Sequence, residues 1–141
     1  MAKFYVNEPG RDAVRRLARR SGTVATSGIA IAEVAAAFHR KLREGSIDSH
    51  VFEALQGQFR HDVTRGLWTV IGPTPALLER VRALFAQLDR SVFLRSLDAV
   101  HLVTAKVERF DRLYSNDTHL LAACPRLHLE GINPIADLID R

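Results

Sequence analysis

Apolar positions recur along this chain at two spacings, and their alternation predicts its elements. Val14, Leu17 and Ala18 fall on one side of a helix predicted over 11–20, which Ser21-Gly22 ends. Residues 23–26 read as a short strand. A second helix runs over 28–43 and is closed by Glu44-Gly45. A third covers 47–65, with Val51, Leu55 and Phe59 four positions apart. Residues 67–71 form a strand, broken by Gly72-Pro73. The best-marked helix is 74–88: Thr74 can cap it, Pro75 suits its first position, and Leu77, Leu78, Val81, Leu84 and Phe85 make its apolar stripe. There follow a helix over 96–108, a strand over 112–115, a short helix over 118–123, a strand candidate at 127–129 and a last helical turn within 134–139. Helices alternating with short strands predict an α/β domain. With no linker or repeat to divide it, 1–141 reads as one domain. The order is helix first, although a parallel sheet normally opens on a strand, and residues 2–6 look like the end of a helix that begins earlier.

Composition narrows the class. Hydrophobic residues are 47% and charged residues 26%, which excludes a disordered chain. No apolar run approaches the roughly 18 residues of a membrane span. The lone Cys124 excludes an intramolecular disulfide framework and suits a reducing compartment. No secretory leader opens the chain, so a cytoplasmic location is expected. The net charge of +4 favours polyanionic partners. Lysine appears only at positions 3, 41 and 106, and the other basic residues are arginines. Arginine grips phosphate bidentately, which suits nucleic acid. A GC-rich coding bias, which also raises alanine, accounts for the same excess.

Three acids stand in apolar surroundings. Glu33 lies in Gly28-Ile-Ala-Ile-Ala-Glu-Val-Ala-Ala-Ala-Phe38, a helix apolar all round and therefore expected to be buried. Asp98 lies near a helix start in Leu94-Arg-Ser-Leu-Asp-Ala-Val-His-Leu-Val103. Asp117 follows the strand ending in Leu113-Tyr-Ser115, at the carboxyl end where open α/β sheets keep their ligands. Each has an ordinary explanation as well: a helix cap for Asp117, a dipole-complementing acid for Asp98, an arginine partner for Glu33. Taken together they favour function. Clustered buried carboxylates repel one another, and a hard divalent cation such as Mg²⁺ or Mn²⁺ removes that penalty.

Ala30-Ile-Ala-Glu-Val34, Leu94-Arg-Ser-Leu-Asp-Ala-Val-His-Leu102 and Tyr114-Ser-Asn-Asp-Thr-His-Leu-Leu121 resemble, in that order, three signatures of the PIN domain, and most closely those of VapC-type ribonuclease toxins. Lys3-Phe-Tyr-Val-Asn-Glu-Pro9 resembles the segment after that family's first strand. The resemblance implies a three-layer α/β sandwich around a central parallel sheet, Mg²⁺- or Mn²⁺-assisted hydrolysis of single-stranded RNA, a VapB-like antitoxin that blocks the acidic cleft, and often a homodimer. By position, Glu33, Asp98 and Asp117 match three acids of the family's catalytic and metal site, with Ser115 and Asn116 beside the last. The family usually opens on an apolar strand ending in aspartate, and this sequence starts after that point. Its first acids, Glu8 and Asp12, come too late to substitute, and Glu8 reads as loop. The first ligand and a central strand are therefore expected to be missing, and activity is expected to suffer. The alternative is a catalytically inactive PIN-like protein that binds an antitoxin.

Arg95 and His101 flank Asp98 at helical spacing. Arg95 is a candidate contact for RNA phosphate or a partner for a site carboxylate, and His101 is expected to be a core histidine. His119 is expected to face solvent. Arg11, Arg15, Arg16, Arg19 and Arg20 make a basic helix face that either guides RNA or is merely solvated. Trp68 and Tyr114 read as core. Phe52, Leu55, Phe59 and Trp68 suit either packing or a groove for an antitoxin helix.

Overall fold

The computed structural model describes residues 1–136. The chain forms two compact units divided after Val70.

The first unit holds a 3₁₀ turn at Ala2–Phe4, then α1 (Arg11–Ser21), β1 (Val24–Ser27), α2 (Ala30–Arg43), α3 (Ser49–Thr64) and β2 (Trp68–Ile71), whose last residue lies at the division. β1 and β2 pair as a two-stranded sheet. The Asp48 carboxylate caps α3 by accepting the Val51 N–H at 2.8 Å. The core gathers Tyr5, Val6, Ala18, Val34, Phe38, Phe59 and Trp68. Its rings meet edge to face, Tyr5 lying 5.8 Å from Phe38 and 5.6 Å from Phe59. The polar ends of these aromatics are also satisfied. Trp68 Nε1 donates to the Tyr5 hydroxyl at 2.6 Å, and that hydroxyl donates to Asp62 Oδ2 at 2.9 Å. Burial pushes the Tyr5 phenol well above its ordinary range.

Phe52 and Leu55 pack against this core from its margin, and Phe59 and Trp68 lie inside it. These residues pack in the first unit. The expectation that α2 is buried all round is overturned. Only Ala30, Val34 and Phe38, four apart, are buried, and Ile31 is 45% exposed. Alanine favours helix through its backbone propensity, whether or not it is covered. An alanine-rich helix therefore looks apolar on every side while burying one stripe.

Glu8 is loop, as expected, and it has a structural task. Its carboxylate pairs with Lys3 Nζ at 3.2 Å and also with Lys41 of α2. Lys41 first, and Lys3 after it, hold the Glu8 carboxyl below its ordinary pKa of 4.5. A depressed carboxyl stabilises the fold fully above its unfolded pKa and loses that contribution as pH falls through the folded value. Acid unfolding should therefore remove part of the stability below about pH 4.5, and Glu8→Gln should flatten that part of the stability–pH curve. Chemical denaturation at stepped pH reads this directly, and parallel curves for the two proteins would contradict it.

The second unit holds α4 (Pro75–Gln87), α5 (Ser96–Val107), β3 (Arg112–Tyr114), α6 (Thr118–Ala123), a 3₁₀ turn at Cys124–Leu127 and β4 (Glu130–Ile132). Thr74 caps α4 as the sequence predicts, its hydroxyl accepting the Leu77 N–H at 3.1 Å. α5 is the central helix of this unit, with Ala99 and Leu102 fully enclosed and Val100, Val103 and Thr104 buried. β3 and β4 run parallel, with Arg112 opposite Glu130, Leu113 opposite Gly131 and Tyr114 opposite Ile132. In place of one central sheet, the described residues thus hold two strand pairs, one in each unit, of which β3–β4 is parallel.

The last strand lies three residues beyond its predicted place at 127–129. Cys124-Pro125 extends α6 into a 3₁₀ turn, and His128, in the left-handed region at φ 57°, turns the chain into β4. Glu-Gly-Ile carries little strand propensity, so the sequence hides it. Packing explains the glycine: a Cβ on Gly131 would meet Cys124 Sγ at 3.0 Å and Leu121 Cδ2 at 3.1 Å. Gly131→Ala should destabilise by about 1–3 kcal/mol through overpacking. Gly57→Ala, in the middle of α3 with open space around the new carbon, should stabilise by about 0.5–1 kcal/mol. Paired urea titrations check both signs. Of the predicted turn within 134–139, the Asn133 side chain accepts the N–H groups of Ile135 and Ala136, and residues 137–139 lie outside the described residues.

Candidate active site

The second unit brings two of the predicted acids onto one cationic side chain. α5 starts at Ser96, and Arg95 before it is extended, at φ −81° and ψ 155°. Arg95 therefore lies outside the helix, and the helical-face spacing proposed for it does not apply. Its pairing with Asp98 has another local cause. Asp98 is the third residue of the helix, the position from which an acid folds back toward the capping residue. Arg95 Nε donates to Asp98 Oδ2 at 2.7 Å. Asp98 itself is buried.

Asp117 reaches the same guanidinium from α6. It caps that helix, and its Oδ1 accepts the N–H groups of His119 at 2.9 Å and Leu120 at 3.1 Å. Its Oδ2 accepts from Arg95 Nη2. The ordinary reading of Asp117 as a cap is therefore true of one oxygen, and the other faces Arg95. Ser115 sets the approach: its Oγ accepts the Asp117 N–H at 3.1 Å, and its own N–H donates to the Ile132 carbonyl at 3.0 Å. Asn116, between them, is exposed. The Leu120 N–H above all, then His119 and Arg95, hold the Asp117 carboxyl below the usual carboxylate range against the opposing effect of burial. Asp98 and Asp117 in turn raise the pKa of the Arg95 guanidinium, so it stays cationic.

Glu33 stands in the first unit, in the first turn of α2 and half-buried. Its carboxylate attracts the amino group of Met1, opposing the lowering that burial imposes on that amine. His101 is half-buried one turn beyond Asp98. His119 is exposed, as expected, but not idle: its ring meets that of Phe93 edge to face at 4.8 Å. Nothing in the sequence marks that pairing, because it joins residues 26 positions apart. The expectation of a core Tyr114 is wrong, since it is 40% exposed. In β3 successive side chains alternate faces, and Leu113 takes the inner one.

The basic face of α1 is smaller than its arginine count suggests. Arg15 Nε donates to the Phe4 carbonyl at 2.8 Å, and its guanidinium lies 5.3 Å from the Phe4 ring centre. Arg11 is half-buried, leaving Arg16, Arg19 and Arg20 exposed.

Within each unit, no group of three or more His, Cys, Asp or Glu side chains gathers among the described residues. A pair of carboxylates focused on one cation still fits a divalent ion. Mg²⁺ is commonly held by one or two carboxylates, with waters and substrate phosphate completing its shell. Oδ2 of Asp98 and Oδ2 of Asp117 are such hard donors, and a guanidinium already sits between them. Among the described residues, no helix is long and apolar enough to cross a membrane. The family model described as PIN domain matches residues 2–124, across both units. No curated protein and no solved structure matches the chain.

Proposed function

This chain belongs to the PIN domain family, whose members are generally metal-dependent nucleases, and from that premise we propose that it hydrolyses RNA phosphodiester bonds with Mg²⁺ or Mn²⁺ as a VapC-type toxin. The observation that carries this reading is the convergence of Asp98 and Asp117 on a single cation, Arg95. Asp98, buried and rigidly placed on α5, is the principal ligand. Asp117 offers its Oδ2 while Oδ1 keeps α6 in position. Ser115 orients the Asp117 backbone, and Asn116 flanks it on the solvent side. Glu33 is assigned as the third acid by its place in the family's order of motifs. A bound divalent cation supplies charge neutralisation at the scissile phosphate and a more acidic water. The protein's own part is to hold the carboxylates ionised and aimed, and to bring RNA phosphate to them through Arg95.

The full reading treats 1–141 as one cytoplasmic domain, bound and silenced by a VapB-like antitoxin and able to pair as a homodimer. It includes an opening strand, with an aspartate, encoded upstream of Met1. What supports that strand is the division into two-stranded sheets, each strand having one paired neighbour among the described residues. Two-stranded sheets are marginal alone. Genomic codons for a short apolar run ending in aspartate just upstream would support it, and unrelated sequence there would remove it. The catalytic test is cleavage of single-stranded RNA with Mg²⁺ or Mn²⁺, stopped by EDTA. Metal-independent cleavage contradicts the reading. Tight binding to the neighbouring small antitoxin without cation affinity would instead favour the inactive, antitoxin-binding alternative.

A further inference from the structure

We propose that Arg95 is a built-in substitute for the divalent cation: in the metal-free protein its guanidinium occupies the Asp98–Asp117 pair, and a cation enters only as Arg95 leaves. This rests on the metal-site reading above and adds a control to it. The guanidinium uses separate groups for the two acids, Nε for Asp98 and Nη2 for Asp117, so one side chain neutralises both. Among the hydrogen bonds described, neither contacted oxygen carries a bond that holds a helix. Asp117 caps α6 through Oδ1, so losing Arg95 from Oδ2 leaves the cap intact. Arg95 is built to depart. Its side chain is 57% exposed against 12% for Asp98, and it precedes α5, so its movement breaks no helical turn. An arginine does not lose its proton in the physiological range, so pH does not open the pair. A competing cation does, because the guanidinium end of both pairs is solvent-exposed and held only weakly there. The displaced guanidinium is then available to RNA phosphate, so one residue serves the acids and the substrate in turn.

The test uses the full chain with Mn²⁺ as the probe, in wild type, Arg95→Met and Arg95→Lys. Free Mn²⁺ is followed by electron paramagnetic resonance, and thermal unfolding is measured in EDTA and in excess Mn²⁺. Arg95→Met should bind Mn²⁺ roughly tenfold more tightly, the factor that follows if Arg95 leaves the pair open only about a tenth of the time. In EDTA it should melt below wild type, because two carboxylates are left facing each other, and Mn²⁺ should erase or reverse that deficit. Arg95→Lys keeps the charge but not the fork, and should fall between the two. It also carries the test if Arg95→Met does not fold. An equal melting deficit with and without Mn²⁺, at unchanged affinity, makes Arg95 a structural brace and overturns the proposal. Asp98→Asn tells the two levels apart. If it abolishes Mn²⁺ binding while neither Arg95 variant tightens it, only the substitute fails. If it leaves binding unchanged, the cation lies elsewhere, and both the site reading and the proposal fall.

Discussion

Asp98→Asn is expected to lower Mn²⁺ affinity and cation-dependent RNA cleavage by more than about 100-fold, the upper end of what is lost when only a group orienting a ligand is removed. Asparagine has the same shape and still accepts a hydrogen bond from Arg95 Nε, so the start of α5 should survive. What it lacks is charge. A neutral amide neither balances a divalent ion nor repels Asp117, which makes this the variant that separates electrostatics from packing. Asp12, an exposed acid in the first turn of α1, is the control, and its asparagine variant should behave as wild type. Calorimetric Mn²⁺ titration and cleavage of a labelled single-stranded RNA read the two effects. Full activity in Asp98→Asn would dismiss Asp98 as the principal ligand.

Phe38→Ala should produce the largest loss of stability, about 3–5 kcal/mol, because a fully buried phenyl leaves a cavity that its neighbours fill only in part. The ring meets both Tyr5, at 5.8 Å, and Phe59, at 6.5 Å, so its removal loosens the aromatic cluster of the first unit. Against a total of roughly 5–15 kcal/mol for a typical domain, such a loss is close to unfolding. Phe110→Ala, at a residue 43% exposed, should change stability by no more than about 0.5 kcal/mol. Urea denaturation followed by circular dichroism measures both. A Phe38→Ala midpoint within error of wild type would show that the cluster collapses around the gap.

Local signals set the elements, and these were legible in the chain. The Thr74-Pro75 start of α4 and the run from Ser96 through Val107 act within one or two helical turns, where the interacting residues are also neighbours in sequence. Glu33, Asp98 and Asp117 stood out as candidates for a related reason: an acid in an apolar stretch is conspicuous without knowing what it faces. Tertiary structure decided what depends on residues far apart in the chain. Arg95 meeting Asp117 across 22 positions is one such fact, and Gly131 lying against Cys124 in a strand of poor propensity is another. The exposure of Ile31 and Tyr114 is a third, since burial is settled by what packs opposite a face, and no periodicity within that face contains the answer.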